Sequence, residues 1–156
     1  MDEVGHGDGA RIEGVFTFPL RVTSDDLGAV MHMLRADSPG FEGFGEIYFS
    51  VVRSGAIKAW KRHHRMVQNF AVPVGAIRLV IYDSREDSPT RGAIKEVRTG
   101  LALDRYELVR IPPMVWYGFQ GLGTGDSLIA NCASIAHDPN EVDRAHFKGG
   151  DVPYVW

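Results

Sequence analysis

The sequence predicts an all-β domain, a sandwich or barrel of short antiparallel strands. Eighteen glycines and eight prolines in 156 residues punctuate the chain too often for long helices, and they follow no collagen-like period. Between them run short stretches rich in β-branched and aromatic residues, several of them alternating apolar and polar side chains. At least eight such stretches follow one another at about ten-residue spacing, the rhythm of a sandwich or barrel.

Residues 1–11 are acidic and glycine-rich and read as a flexible tail ahead of a single domain, 12–156. Residues 12–18 form the first strand, and Pro19 puts it at an edge. Residues 24–35 read two ways. Ser24 could cap a helix carrying Leu27, Val30, Met31 and Leu34, or a turn at 25–28 could lead into a strand over 29–35. Further strands are expected at 46–53, 66–74 and 76–82, the last two separated by Gly75. A polar turn covers 85–91, and strands follow at 94–99, 106–111, 115–119 and 127–135. The Gly-rich run 121–125 lacks the Gly-Lys-Ser/Thr of a phosphate loop and reads as a hairpin turn. The closing Tyr154-Val155-Trp156 is costly to leave in water and should pack on the domain or on a second copy.

Hydrophobic residues are 44% and charged residues 24%, as in ordinary globular chains. Seventeen basic residues against twenty acidic ones give a formal charge of -3, which argues against nucleic acid as a partner. No run approaches about 18 apolar residues, so no membrane helix is expected. The single cysteine, Cys132, excludes an internal disulfide and is compatible with a reducing cytoplasm.

The strongest local signal is charge. Residues 53–65 hold Arg53, Lys58, Lys61, Arg62, His63, His64 and Arg65 with no acid. Such a cluster can bind a phosphate or pyrophosphate; the plain alternative is a solvated loop. Trp60 and Phe70 could stack on a base or sugar, or simply pack in a core. His63 and His64 do not look like a metal pair, because neighbours on a strand point to opposite faces and no carboxylate follows over 65–75. No metal is expected there. Tyr117 is a candidate acid or hydrogen-bond donor, or a structural tyrosine.

The order of segments adds a family reading. Residues 75–83, Arg85, Ser88-Pro89-Thr90 with Gly92, and Ile111-Pro112-Pro113 with Gly118-Phe119 together resemble dTDP-4-dehydrorhamnose 3,5-epimerase, in a shorter, divergent branch. The resemblance spans residues 12–139. It implies a cupin-type jelly roll (double-stranded β-helix), a strand rather than a helix at 29–35, and a homodimer. It also implies cofactor-free proton transfer α to the ketone of a nucleotide-linked 4-keto-6-deoxy sugar, by a base and an acid on opposite faces. The family's base falls at Lys61, its arginine at Lys58, its enolate-steadying lysine at Gln68, a histidine at Tyr117 and its tyrosine near Asn131, while Asp83 is retained. The acid that supports the base lies beyond the end of this chain. The expected machinery is therefore Lys61 or His63 as base and Tyr117 as acid, with Asp83 in the catalytic set. Lys58, Arg62 and Arg65 are expected on the diphosphate, with Glu46, Tyr48, Trp60, Gln68 and Asn131 lining the substrate. Two alternatives stay open: a catalytically idle binder of a sugar nucleotide or partner protein, and a barrel with other carbonyl chemistry, such as a lyase or cyclase.

Overall fold

A computed structural model describes residues 10–156, so the expected tail at 1–11 lies outside the described residues except for its last two positions. Among the described residues the chain forms β1 (Phe16–Pro19), β2 (Val22–Asp25), β3 (Gly28–Met31), β4 (Glu46–Val52), β5 (Ile57–His63) and β6 (Gln68–Val74). There follow β7 (Ala76–Tyr82), β8 (Ile94–Thr99), β9 (Glu107–Ile111), β10 (Trp116–Leu122), β11 (Ser127–Ala133) and β12 (Val142–Arg144). Two five-stranded sheets face each other, in the orders β1-β9-β6-β11-β4 and β12-β5-β10-β7-β8, and their pairings are antiparallel. β2 and β3 form a separate hairpin. The architecture is a cupin-type jelly roll. No helix among the described residues is long and apolar enough to cross a membrane.

The inward side chains of both sheets make one core. Val52, Phe70, Val72, Ile77, Leu79, Ile81, Val109, Ile111 and Ile129 lie within it, all buried. Each large aliphatic among them contributes about 1.5–3 kcal/mol by leaving water. A second cluster lies on the outer side of the second sheet, where Trp60, Val80 and Trp116 are covered by Val152, Phe147, Tyr154 and Trp156. The aromatic C-terminus thus packs on its own domain. Trp156 sits 5.2 Å from the Trp60 ring and Tyr154 meets Trp60 edge-on at 6.1 Å.

Glycine makes the crossings between sheets. β6 belongs to the first sheet and β7 to the second, and Gly75 turns between them with φ +75°. A Cβ there would come within 2.9 Å of the Ser127 backbone. The run 121–125 also crosses between sheets, because β10 and β11 do not pair. The expected hairpin is therefore an inter-sheet turn.

Several strand boundaries differ from the sequence expectation. The first strand begins at Phe16, since Ile12–Val15 closes a turn through Val15 N–H and the Ile12 carbonyl, 3.1 Å. The turn at 25–28 is present, with Asp25 Oδ1 accepting from the N–H groups of Leu27 and Gly28 at 2.8 and 3.0 Å. The strand after it ends at Met31 rather than 35. β6 starts at Gln68 rather than 66, because the Met66 N–H donates to the Glu141 carboxylate instead of a strand partner.

Candidate active site

A small cleft opens between the two sheets. From the first sheet, Tyr48 and Ser50 on β4, Phe70 on β6, and Ile129 and Asn131 on β11 line it. From the second sheet come Lys58 and Lys61 on β5 and Tyr117 and Phe119 on β10. Strict strand alternation would put Lys58 and Lys61 on opposite faces. They share the cleft because Tyr117 pairs with Lys61 while Phe119 pairs with Lys58, so three steps on β5 match two on β10. That is a β-bulge, which re-aims side chains. Gly118 sits at the bulge, and a Cβ there would strike Ala59 and approach Trp60 to 3.1 Å. Among the described residues neither lysine has a carboxylate partner. Burial, with Arg144 and Lys58 adding repulsion, holds Lys61 below its ordinary pKa.

Behind Tyr117 lies a buried acid–imidazole pair. Glu141 closes a single 3₁₀ turn, Pro139–Glu141, capped by the Asp138 carboxylate accepting from Asn140 N–H at 2.9 Å. One Glu141 oxygen is hydrogen-bonded to His63 Nδ1, and the other accepts from the backbone N–H groups of Arg65 (3.0 Å) and Met66 (3.2 Å). His63 Nε2 lies 3.2 Å from the Tyr117 hydroxyl, and the two rings stack nearly parallel. Burial alone would raise the Glu141 pKa, but the bonds from His63, Arg65 and Met66 outweigh it and hold the carboxyl ionised. Burial keeps His63 below its ordinary pKa, against the pull of Glu141. The imidazole is therefore neutral with its hydrogen on Nδ1, leaving Nε2 to accept from Tyr117. Burial, and Tyr48 across the cleft, keep Tyr117 well above the ordinary phenol range, and Gln68 works in the opposite direction.

Polar side chains continue to the facing sheet. Asn131 donates to the Tyr48 hydroxyl at 2.8 Å and to Gln68 Oε1 at 3.2 Å, and accepts from Asn69 N–H at 3.2 Å.

Of the residues expected from sequence, Lys58, Lys61, Tyr48, Tyr117 and Asn131 meet at the cleft, with His63 and Gln68 directly behind its wall. Glu46 is half-buried one inward position beyond Tyr48 on β4 and does not line the cleft. Four expectations are corrected. Asp83 is fully buried and its oxygens accept from Arg85, Ser88 and Thr90, so it ties the 83–90 turn rather than joining the chemistry. Burial would raise its pKa, but those bonds hold it far below the carboxylate range. Arg62 pairs with Asp143 at 2.7 Å and lies over Trp116 on the outer face. Arg65 faces Asp138 at 3.6 Å and is largely exposed. Trp60 is sealed in the outer cluster, away from the cleft. The opposite faces expected for the two histidines hold: His63 is buried, while His64 is part-exposed 3.0 Å from Asp143.

Glu141 is the residue that sequence reasoning missed. The resemblance placed the supporting acid beyond the chain's end, whereas the 3₁₀ turn brings Glu141 onto His63 from 78 positions away. The only local signal was the capped turn Asp138-Pro139-Asn140-Glu141.

No family model matches the chain. It is 33% identical over 137 residues, 86% of its length and 83% of the relative's, to a probable low-salt glycan biosynthesis epimerase of Haloferax volcanii. It is 31% identical over 147 residues, 93% of its length and 96% of the relative's, to the spore coat polysaccharide biosynthesis protein SpsL of Bacillus subtilis. Among solved structures, a dTDP sugar isomerase from Desulfovibrio desulfuricans superposes with a TM-score of 0.90 at 50% identity, covering 93% of this chain and 92% of that one.

Proposed function

From the premise that the chain belongs to the dTDP-4-dehydrorhamnose 3,5-epimerase-like family, we propose that it isomerises a nucleotide-linked 4-keto-6-deoxy sugar by moving a proton α to the ketone. The observation that carries this reading is the buried line Glu141–His63–Tyr117 ending at the cleft. The α-proton passes to Tyr117 as Tyr117 gives its own hydrogen to His63 Nε2. Glu141, already ionised, stabilises the imidazolium that forms. Lys61 stands beside Tyr117 on the neighbouring strand, where a cation offsets charge developing on the enolate oxygen. Lys58, carried to the same face by the bulge, attracts the diphosphate. His63 thus takes the base role through Tyr117, and Lys61, at the position where the resemblance put the base, takes an electrostatic one.

This line of groups is also what disfavours the idle-binder alternative: Glu141, both ring nitrogens of His63 and the Tyr117 hydroxyl are hydrogen-bonded in series up to the cleft, a proton route that binding alone does not use. The reaction as drawn uses the chain's own groups and water. Incubating the protein with a dTDP-4-keto-6-deoxy sugar in deuterated water tests it: deuterium enters at the carbon next to the ketone. No uptake with any 4-keto nucleotide sugar would sink the reading.

The chain works as a homodimer in this proposal. β4 is an edge strand, and its outward residues Ile47, Phe49 and Val51 are each more than half exposed, with Phe44 and Val74 exposed as well. A second copy of the chain would remove such a strip from water. The substrate class and the free, buried Cys132 fit a reducing cytoplasm.

A further inference from the structure

We propose that Tyr48 is the residue that returns the proton, from the wall opposite Tyr117, and that Asn131 positions it as a donor. The inference rests on reading the cleft as a proton-transfer site, and it concerns what faces the base. Tyr48 stands on β4 in the first sheet and Tyr117 on β10 in the second, and both line the cleft.

Their hydrogen bonds give them opposite polarity. A phenol has one hydrogen to donate and lone pairs to accept with. Asn131 Nδ2 donates to the Tyr48 oxygen at 2.8 Å. The amide is not free to flip, because its oxygen accepts from Asn69 N–H and its nitrogen also donates to Gln68 Oε1. Asn131 is 2% exposed, so no water replaces these partners. The Tyr48 oxygen is thus an acceptor toward Asn131, and its hydrogen is left for the cleft. On the other wall the ionised Glu141 takes the His63 Nδ1 hydrogen, so Nε2 accepts from Tyr117 and a Tyr117 lone pair is left for the cleft. One wall accepts a proton and the other gives one. Burial keeps the Tyr48 hydroxyl protonated, above the ordinary phenol value, although Asn131 opposes the shift.

The protons balance. The C–H bond α to the ketone breaks, its proton forms a bond to the Tyr117 oxygen, the Tyr117 hydrogen moves to His63 Nε2, and the electron pair enters the enolate. The Tyr48 O–H bond then breaks as a new C–H bond forms on the opposite face. The Tyr48 phenolate takes a proton from water, and His63 releases its own to water through Tyr117. The centre is inverted with no net gain or loss of protons.

The test follows a dTDP-4-keto-6-deoxy sugar in deuterated water by NMR, scoring label in recovered substrate separately from epimer formed. Wild type gives labelled epimer. Tyr48→Phe keeps its melting temperature and labels the recovered substrate, while epimer formation falls by about 100-fold or more. Asn131→Asp, which sets an acceptor against the Tyr48 hydroxyl and turns its hydrogen away, lowers epimer formation relative to labelling in the same sense. That ratio is a readout that loss of structure alone does not move, and it decides the matter if Tyr48→Phe is poorly folded. Epimer formation at the wild-type rate in either variant overturns the role of Tyr48, as does equal loss of labelling and epimer in a variant that melts like wild type. Absence of labelling in wild type is a different failure: it overturns the proton-transfer reading of the cleft and this inference with it.

Discussion

His63 and His64 are neighbours in sequence, yet strand alternation and one acid give them different chemistry. His64 is 41% exposed with Asp143 at 3.0 Å, whereas His63 is 6% exposed between Glu141 and Tyr117. The difference has a consequence for stability. Burial holds the folded pKa of His63 below 6.5, so below pH 6.5 the unfolded chain takes up a proton that the folded chain resists. That contribution is complete above about pH 6.5 and is lost as the pH falls. Glu141 acts in the same direction at lower pH: its folded pKa lies below 4.5, so its contribution is present above 4.5 and lost as pH falls through the folded value. Urea unfolding at pH 7.5, 6.5 and 5.5 should show stability falling across the lower interval, and His63→Asn should flatten that fall. Parallel curves for the two proteins would contradict the buried, neutral histidine.

At the scale of elements, β5 carries most of the site and illustrates what the sequence could and could not disclose. The strand itself, Ile57–His63, was not among those expected, but the separation of the two histidines was legible from the alternation any strand imposes. Its bulge against β10 was not, because register is a property of two strands. The basic run 53–65 read as a phosphate site or a solvated loop, but Arg62 and Arg65 face Asp143 and Asp138, which lie far along the chain. Only Lys58 and Lys61 reach the cleft. Glu141 was hidden for the same reason. The outer face of β5 is braced by the C-terminal aromatics, which pack on Trp60 directly behind the bulge. Trp156→Ala removes the ring 5.2 Å from Trp60 and should cost about 2 kcal/mol, less than for a fully buried tryptophan because Trp156 is partly exposed. At about 3 °C per kcal/mol for a domain of this size, the melting temperature should drop by about 6 °C. An unchanged melting temperature would show that the tail does not support the strand.

On the scale of the whole molecule, the all-β class was readable because glycine and proline spacing and period-two alternation are local. The pairing into two sheets came from the family resemblance, and the 121–125 turn proved to be a crossing rather than a hairpin, as is the turn at Gly75. Net charge misdirects at this scale too. A chain of formal charge -3 still presents two lysines in one cleft with no carboxylate partner among the described residues, and local field rather than total charge governs capture of an anionic substrate. The exposed β4 strip bears on assembly. Phe49→Lys places a charge at the centre of that strip, on a side chain 63% exposed in the single chain. Light scattering should report a dimer for wild type and a monomer for the variant, and equal masses would exclude this face as the interface. The claim on which the functional account turns is that Glu141, His63 and Tyr117 act as one proton acceptor. Its most direct measurement is the rate of deuterium uptake at the substrate carbon beside the ketone, compared among wild type, Glu141→Gln, His63→Asn and the double variant. The account predicts about a 100-fold loss or more for His63→Asn, a clear loss for Glu141→Gln, and no further loss when the two are combined, since each disables the same relay. Uptake at the wild-type rate in His63→Asn, or losses that multiply in the double variant, would contradict it.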